Sequence, residues 1–393
     1  MTDIAHSERA HARLSPSGAA RFMACPGSIR LSEGIPDKSS IYADEGTAAH
    51  ELAERCLRDD KDPNEFAGET IHVNGREFEV TPDMISAVRT YLEHVAWFIE
   101  KGFEISIEER LDMTHVVDGM FGTADLLAYS EAHQHLFVID YKHGRGVAVE
   151  PQRNKQLMSY AIGALKRYGN RHVKLVTLTV VQPRAAHPKG GIRSWQTTPE
   201  FIMEFADELQ AAAQIVDEPD APLVPGDHCA FCKAAGMCPA LREQAIGFAS
   251  DDFDAVVEKG VSADQLADWL DKVGTVEMWC KKVREFANAE GRAGRIPTGY
   301  KFVEKRAMRK WKDESKALAA LRVAGELTDE ELFGEPTLQS VAKIEKFFGK
   351  KSFKAFESLV TQQSSGVVLA PESDPRPAAL SPAEADFDAQ EID

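Results

Sequence analysis

The chain has 393 residues, of which 43% are hydrophobic and 28% are charged, and its formal net charge is −17. This length allows two domains, or one large domain with an appendage, and the composition is ordinary for a globular protein. No apolar run is long enough to span a bilayer, and the N-terminal residues lack the apolar segment of a signal peptide. We therefore expect a cytoplasmic protein, whose six cysteines are thiols or metal ligands rather than disulfides.

The negative charge is distributed unevenly along the chain. Residues 142–193 contain eleven Lys or Arg and a single acid, and residues 301–316 contain seven more basic residues, interleaved with Phe302 and Trp311. Residues 371–393 carry seven acids and one arginine. Because local charge determines where an anionic backbone binds, the net charge is only a weak argument against a DNA-binding function.

Hydrophobic periodicity predicts the secondary structure in chain order. Residues 1–13 are expected to be flexible. The predicted helices are 15–25, 44–60, 82–101, 152–168 and 199–216, and the predicted strands are 103–111, 120–129, 135–142 and 173–183. Short polar connections join the first three strands as a meander. The order predicts an α/β fold with a mixed central sheet flanked by helices.

A proline-rich link at 219–225 leads into a cysteine-containing segment, and the character of the chain changes after it. We predict one domain over residues 14–250 and a mainly helical accessory region over 251–361. Within that region the predicted helical segments are 262–290, 313–326 and 338–360. Residues 362–393 are rich in Pro, Ala, Ser and acids, and they are predicted to be a disordered acidic tail.

Two aspartates and a lysine stand at the ends of predicted strands. Asp140 and Lys142 are two residues apart, so their side chains should share one face of a strand, and Asp125 lies one strand earlier. Two carboxylates and one ammonium at a sheet edge can hold a divalent cation and activate a water molecule. A purely structural ion pair between Asp140 and Lys142 is the alternative.

Three further motifs accompany this pair. A Gly-Thr-Ala-Ala-His sequence places His50 on the preceding helix, and a Gly-Thr-Ala-Asp sequence contains Asp125. Gln156 and Tyr160 lie at i and i+4 on one face of the following helix. In this order, the motifs resemble those of the RecB-like branch of the PD-(D/E)XK nuclease superfamily, over roughly residues 15–240.

The resemblance implies a role for each matching residue. His50, Asp125 and Asp140 would bind Mg²⁺ or Mn²⁺, with the backbone carbonyl of Tyr141 as a further ligand. Lys142 would position or polarise the attacking water. The chain has Asp-Tyr-Lys where Glu-x-Lys is commoner, a change that this branch tolerates.

The remaining implied roles and the alternatives concern the surroundings of the cation. The resemblance implies that Gln156 and Tyr160 orient DNA or the metal shell. Glu51 or Glu54 could replace His50 as a ligand. Glu108 or Glu109 could add a carboxylate, although an exposed strand acid is the default expectation for both.

A second group of residues contains three cysteines within ten positions. Cys229, Cys232 and Cys238 stand among glycine and proline turns, which suits a metal or cluster site better than a hydrophobic core. Cys25 is the natural fourth ligand because Cys25 and Cys238 both precede a proline.

One cysteine before the predicted nuclease core and three after it resemble the iron–sulfur staple of AddB-type helicase–nucleases and CRISPR-adaptation exonucleases. The resemblance implies a [4Fe–4S] cluster that ties the two ends of the domain together. Zinc is the alternative, since four cysteines suit both. Cys56 and Cys280 are predicted to be core thiols.

Three longer motifs also resemble those of a phage- and prophage-encoded family of RecB-like proteins. They are Ser-x-Ser-x-Ala-x-Arg-x-x-x-Cys-Pro at 15–26, Tyr-Ala-x-Glu-Gly-Thr-Ala-Ala-His-Glu-Leu-Ala-Glu at 42–54 and Arg-Lys-Trp-x-Asp-Glu at 309–314. That resemblance implies a DNA exonuclease that acts beside a single-strand annealing or binding protein in recombination. Two alternatives stay open, a non-catalytic DNA-binding or scaffolding protein and a site- or structure-specific endonuclease. The aromatic and basic segment 300–316 suits single-stranded DNA, or equally a solvated amphipathic element.

Overall fold

A computed structural model of the protein describes residues 12–36, 39–169, 172–253 and 262–300. The helices in these ranges are α1 Ala19–Ala24, α2 Gly27–Leu31, α3 Ile41–Asp59, α4 Pro82–Glu100, α5 Lys155–Arg167, α6 Pro199–Val216, α7 Pro239–Phe253 and α8 Ala263–Arg292. The strands are β1 Thr70–Val73, β2 Arg76–Glu79, β3 Glu104–Asp112, β4 Phe121–Ser130, β5 His135–Tyr141, β6 Leu175–Val181 and β7 Ile192–Thr197.

The central sheet has five strands in the order β3-β4-β5-β6-β7. Strands β3, β4 and β5 form the predicted antiparallel meander, and β5 then pairs with β6 in parallel. Helix α5 connects these two parallel strands, as a parallel pair requires a crossover. Strand β7 is antiparallel to β6 and closes one edge. The predicted mixed sheet flanked by helices is therefore confirmed.

Helix layers cover both faces of the sheet. Phe22 of α1, with α5 and α6, packs on one face against residues that include Leu127 and Val138. Helices α3 and α4 pack on the other face, against residues that include Leu126 and Ile139. Neighbouring residues of one strand thus enter opposite cores, because successive strand side chains alternate between faces.

The long helices begin at side-chain caps that the sequence provides. Ser40 accepts a hydrogen bond from the backbone N–H of the third residue of α3, and Thr81, Asn154 and Thr198 do the same for α4, α5 and α6. Such caps satisfy amide groups that have no partner within the helix. The cap at Ser40 starts α3 three residues before the predicted start at Asp44.

The β1–β2 hairpin and strand β7 were not predicted from the sequence. The hairpin turns at Asn74-Gly75, both with positive φ, which is the turn chemistry that a two-residue hairpin needs. Strand β7 lies at a sheet edge and alternates exposed and buried residues, with no apolar run to indicate it.

The described residues include only part of the C-terminal region for which the sequence makes predictions. Helix α8 confirms the predicted helical segment at 262–290. The segments 301–316, 313–326 and 338–360 and the tail 362–393 lie outside the described residues, as does most of the lead-in 1–13. The chain divides into two units, residues 1–300 and 301–393, and the domain boundary predicted near residue 250 stays a prediction. None of the described helices has both the length and the hydropathy of a membrane span.

Candidate functional site

Asp125, on β4, is contacted from two different elements. Its Oδ2 accepts a hydrogen bond of 2.7 Å from the backbone N–H of Tyr141, the last residue of β5. Its Oδ1 lies 3.5 Å from Nδ1 of His50, which α3 contributes. The His50 ring is also packed edge-on against the Tyr141 ring, with centroids 5.2 Å apart. The structure therefore brings together three of the residues that the motifs indicate.

Glu108 joins this group, although the sequence favoured an exposed strand acid. One ligand atom each from His50, Glu108 and Asp125 lie within 4.8 Å of one another, and no other described His, Cys, Asp or Glu residues form such a group. In the β3–β4 register, Ile107 pairs with Leu126 and Glu109 with Ala124, which places Glu108 opposite Asp125. The sequence predicted the meander but not the register of its strands, so it did not distinguish Glu108 from Glu109.

The other acids considered as alternatives have different partners. Glu109 forms an ion pair with Arg167 of α5, and Glu54 forms one of 2.6 Å with Arg58 one turn further along α3. His50, one turn before Glu54, is the α3 residue that lies beside Asp125. The geometry thus favours His50 over Glu54 and Glu108 over Glu109 as cation ligands.

A chain of hydrogen bonds extends from Asp140 to helix α5. Nζ of Lys142 lies 3.1 Å from Oδ1 of Asp140 and donates to Oε1 of Gln156 at 3.2 Å. Nε2 of Gln156 in turn donates to the hydroxyl of Tyr160 at 3.2 Å. Asp140 and Lys142 thus share a face, as their spacing predicts, and the Gln156–Tyr160 pair anchors the ammonium from the neighbouring helix.

The carboxylates of this site repel one another. Burial, reinforced by the charges of Asp140 and Glu108, holds the pKa of Asp125 well above its usual value. Burial also raises the pKa of Asp140, although the nearby Lys142 opposes this shift. A site that gathers buried carboxylates at such a cost is the environment that a divalent cation would stabilise.

The pKa of Lys142 is also raised, and for a lysine this favours the charged form. Burial alone would lower its pKa, but the charges of Asp140 and Asp125 outweigh burial, so its pKa lies above the usual value. Lys142 is therefore a cation at neutral pH, a hydrogen-bond donor rather than a base.

Gly122 allows the N-terminal segment to approach this site. A side chain at position 122 would place its Cβ 2.8 Å from Cγ of Pro16 and 2.9 Å from a ring carbon of Tyr160. Pro16 belongs to a short 3-10 turn, Pro16–Gly18, which Ser15 caps. The absent side chain lets the turn and Tyr160 pack directly on β4.

The four cysteines Cys25, Cys229, Cys232 and Cys238 line one cavity. All four are buried, and the last three pack with Met278 and Trp279 of α8. Gly27 makes this closure possible, because a Cβ there would lie 2.5 Å from the backbone carbonyl oxygen of Ala221. The structure thus joins the N-terminal cysteine to the three that follow the sheet domain. Cys56 is buried in the α3–α4 core, as predicted for a core thiol, and Cys280 is half-buried on α8.

Three of the cavity sulfurs already have polar neighbours. Cys25 Sγ accepts from the N–H of Val224 at 3.3 Å, and Cys229 Sγ accepts from the N–H of Gly226 at 3.4 Å. The Ser32 hydroxyl lies 3.9 Å from Cys232 Sγ. Burial raises the pKa of the Cys25 and Cys229 thiols and outweighs the opposing effect of these N–H donors, so a bound metal ion would be needed to hold the sulfurs as thiolates.

Four cysteines around one cavity suit two kinds of metal group. Zinc takes four thiolates in a tetrahedral site, and an iron–sulfur cluster takes one thiolate on each iron. Both alternatives from the sequence therefore stay open at this cavity.

A family model matches residues 11–377, and the family is described as "Protein of unknown function (DUF2800)". The match covers most of the chain. The chain belongs to this family. Both groups of residues described above lie within the matched part of this DUF2800 chain.

Solved structures with a partial likeness include three exonuclease chains. An alkaline exonuclease, LHK-Exo from Laribacter hongkongensis, is 16% identical, with 51% of this chain and 90% of that chain covered and a TM-score of 0.23. LHK-Exo in complex with dAMP is 13% identical, with the same coverage and a TM-score of 0.24. A phage-related exonuclease from Haemophilus somnus 129PT is 12% identical, with 53% and 94% covered and a TM-score of 0.24.

Proposed function

We propose that this DUF2800 chain is a metal-dependent deoxyribonuclease that hydrolyses phosphodiester bonds from DNA ends. The observation that carries the proposal is the convergence of His50, Glu108 and Asp125, with their ligand atoms within 4.8 Å, beside the Asp140–Lys142 pair. Carboxylate and imidazole ligands with a neighbouring ammonium are the groups that phosphodiester hydrolysis uses.

We assign the cation ligands to residues from three strands and one helix. His50, Glu108 and Asp125 would hold Mg²⁺ or Mn²⁺, with Asp140 and the carbonyl of Tyr141 completing the oxygen-rich set. Such a cation supplies a Lewis acid that lowers the pKa of a bound water and neutralises phosphate charge. The N–H of Tyr141 keeps one oxygen of Asp125 oriented, which leaves the other oxygen toward His50.

Lys142 has a distinct role in this proposal. Because it stays protonated, it would donate to the attacking water or to a phosphate oxygen rather than remove a proton. Asp140 and Gln156 hold its ammonium from two sides, so little reorganisation is needed when charge develops on phosphorus. Gln156 and Tyr160 would position that ammonium and the DNA backbone.

The substrate assignment rests on the chemistry of the site and on the resemblance of its motifs. The basic excess of residues 142–193 adds little, because Arg145, Lys166, Arg167 and Arg184 form ion pairs with acids of other elements. DNA ends are the proposed substrate because the motifs resemble those of exonucleases. By the resemblance of its motifs to phage-encoded proteins, the enzyme would process DNA for recombination beside a single-strand annealing or binding protein.

We also propose a [4Fe–4S] cluster at Cys25, Cys229, Cys232 and Cys238. It is supported by the four buried cysteines around one cavity and by the resemblance of their order in the sequence to the iron–sulfur staple, and zinc is the alternative. The cluster would link the N-terminal turn to the segment after α6.

The decisive experiment uses end-labelled linear duplex, single strands and closed circular DNA, each with Mg²⁺, Mn²⁺ or EDTA. We expect metal-dependent release of mononucleotides or short products from linear DNA and no activity of Asp140→Asn. Cutting of closed circles at discrete positions would favour an endonuclease. A gel shift without any product would favour a non-catalytic DNA-binding protein and would overturn the proposal.

A further inference from the structure

A buried histidine outside the proposed cation site is fixed through both ring nitrogens. His143 follows β5 by two residues and is 3% exposed. Its Nδ1 lies 2.8 Å from the hydroxyl of Tyr141. Its Nε2 contacts Nη1 of Arg184, which comes from the loop after β6. A histidine in this environment is held in one orientation.

Arg184 and two acids surround the other side of His143. The Arg184 guanidinium donates to Glu45 at 2.8 Å and lies 3.2 Å from Asp83, so two acids hold it in place. Nε2 of His143 contacts that guanidinium and also lies 3.4 Å from Oε1 of Glu45. With either ring nitrogen protonated, Nδ1 faces the Tyr141 hydroxyl and the ring is held from both sides.

Tyr141 connects this arrangement to Asp125. Its ring is stacked on Tyr91 at 5.1 Å and meets the His50 ring edge-on at 5.2 Å. Its backbone N–H is the group that donates to Asp125 at 2.7 Å. One residue thus touches two of the proposed cation ligands, and the hydroxyl of that same residue is held by His143.

We propose that His143 and Arg184 are positioning residues, which act through Tyr141 to fix the geometry of the cation site. The proposal rests on the proposed function, because the site that it serves is the proposed cation site. Arg184 and Glu45 hold the His143 ring, His143 bonds the Tyr141 hydroxyl, and Tyr141 contacts Asp125 and the His50 ring. Groups behind metal ligands contribute in this way by orienting them.

The two amide variants of His143 separate this role from general stability. The side-chain amide of asparagine occupies nearly the place of Nδ1, so His143→Asn keeps a hydrogen-bonding group toward Tyr141. The amide of glutamine reaches instead to the place of Nε2, so His143→Gln loses that group. Tyr141→Phe removes the hydroxyl but keeps the ring that packs on Tyr91 and His50.

The test is the affinity of the full-length protein for Mn²⁺ without DNA, measured by electron paramagnetic resonance alongside the melting temperature. Removal of a group that orients a ligand costs about 10- to 100-fold in metal affinity. We expect that loss for His143→Gln and Tyr141→Phe, and an affinity within about threefold of wild type for His143→Asn. His135→Gln is the matched control, because His135 is the first residue of β5, at the end opposite His143, and its Nε2 is hydrogen-bonded to the Thr177 hydroxyl.

Two results would overturn the proposal. Mn²⁺ affinities of His143→Gln and Tyr141→Phe equal to wild type would show that the hydrogen bond does not orient the site. Equal losses in His143→Asn and His143→Gln would show that the hydrogen bond between His143 and Tyr141 is not the cause. If wild-type protein binds no Mn²⁺, or binds it equally well after Asp125→Asn, the proposed cation site does not exist. That result is a failure of the proposed function and is distinct from a failure of this inference.

Discussion

Glu108 lies opposite Asp125 across the antiparallel β3–β4 ladder, and its backbone adopts a φ of +50°. A non-glycine residue in this conformation costs about 1–2 kcal/mol, and such residues cluster at functional sites. The carboxylate of Glu108 also raises the pKa of Asp125 and Asp140, after burial. A cation bound among Glu108, Asp125 and Asp140 would explain why a strained backbone holds a third carboxylate close to the other two.

Glu108→Gln should therefore separate stability from metal binding. Loss of the Glu108 charge relieves repulsion among the carboxylates, so we expect an unchanged or higher melting temperature in EDTA. Mn²⁺ affinity should fall more than about tenfold, a loss of at least about 1.4 kcal/mol. Glu109→Gln, which loses only the ion pair with Arg167, is the control and should keep wild-type affinity. Equal Mn²⁺ binding by both variants would exclude Glu108 as a ligand.

Lys142→Met tests the role of the ammonium. We expect the rate of DNA cleavage to fall about 10²- to 10³-fold, as when one preorganised donor to a developing charge is removed. Mn²⁺ affinity should be retained, since Lys142 binds no cation. Lys166→Met is the control on the far end of α5, where Lys166 pairs with Asp112. If both lysine variants cleave DNA at the wild-type rate, Lys142 has no part in catalysis.

Gly122→Ala tests the close packing beside the site. Its Cβ would lie within 3.0 Å of both Pro16 and Tyr160, so we expect destabilisation of about 1–3 kcal/mol, measured by denaturant unfolding. Gly46→Ala is the contrasting change, because nothing lies within 4 Å of its added Cβ and position 46 is inside α3. The second variant should gain about 0.5–1 kcal/mol. An unchanged stability of Gly122→Ala would show that Pro16 and Tyr160 do not pack directly on position 122.

The cysteine cavity gives a spectroscopic prediction. Protein purified without oxygen should be brown, with an absorbance shoulder at about 400 nm from the iron–sulfur cluster. Cys25→Ser should lose most of its iron, whereas Cys280→Ser, on α8, should keep it. Colourless protein with one zinc per chain would replace the cluster with zinc, and unchanged metal content in Cys25→Ser would remove Cys25 from the site.

The carboxylate of Asp44 should make stability depend on pH, through the contact between α3 and the β1–β2 hairpin. This carboxylate is fully buried, accepts from Asn74 at 2.7 Å and pairs with Arg76. Burial alone would raise its pKa, but bonds from Ser39, Asn74 and Arg76 outweigh burial and lower the pKa below 3.8. The stabilisation is therefore present above about pH 4 and is lost as the pH falls through the depressed native pKa.

Asp44→Asn should accordingly destabilise the protein by about 1.5–3 kcal/mol at pH 7, because it weakens the charge-assisted hydrogen bonds to the buried carboxylate. The difference in unfolding free energy from wild type should shrink below about pH 4, and urea titrations at pH 7 and pH 3 measure it. A difference that is equal at both pH values would show that the charge of Asp44 contributes nothing.

The sequence predicted well what depends on local periodicity. The apolar stripes of α3 and α4, the meander of β3, β4 and β5, and helix α6 were all predicted, because amphipathic spacing and capping residues act within a few positions. Strand β7 was missed because an edge strand with alternating polar residues has a weak apolar signal. The Asn74-Gly75 hairpin was present as a turn signal, but no strand was assigned to either side of it.

By itself, the sequence determined which residue types were available for the site. His50, Asp125, Asp140, Lys142, Gln156 and Tyr160 were identified as motif residues, as were the four cysteines of the cavity. Their positions on helices and strand ends follow from local patterns, so their participation could be expected before any tertiary contact was known.

Only the tertiary structure decided which side chains meet. The strand register puts Glu108 rather than Glu109 opposite Asp125, and a shift by one residue would have exchanged them, because side chains alternate between faces. The contact from Arg184 through His143 to Tyr141 joins loops about forty residues apart in the sequence, and no local pattern encodes it. Local periodicity specifies elements, whereas the partners of a buried polar group depend on how those elements pack together.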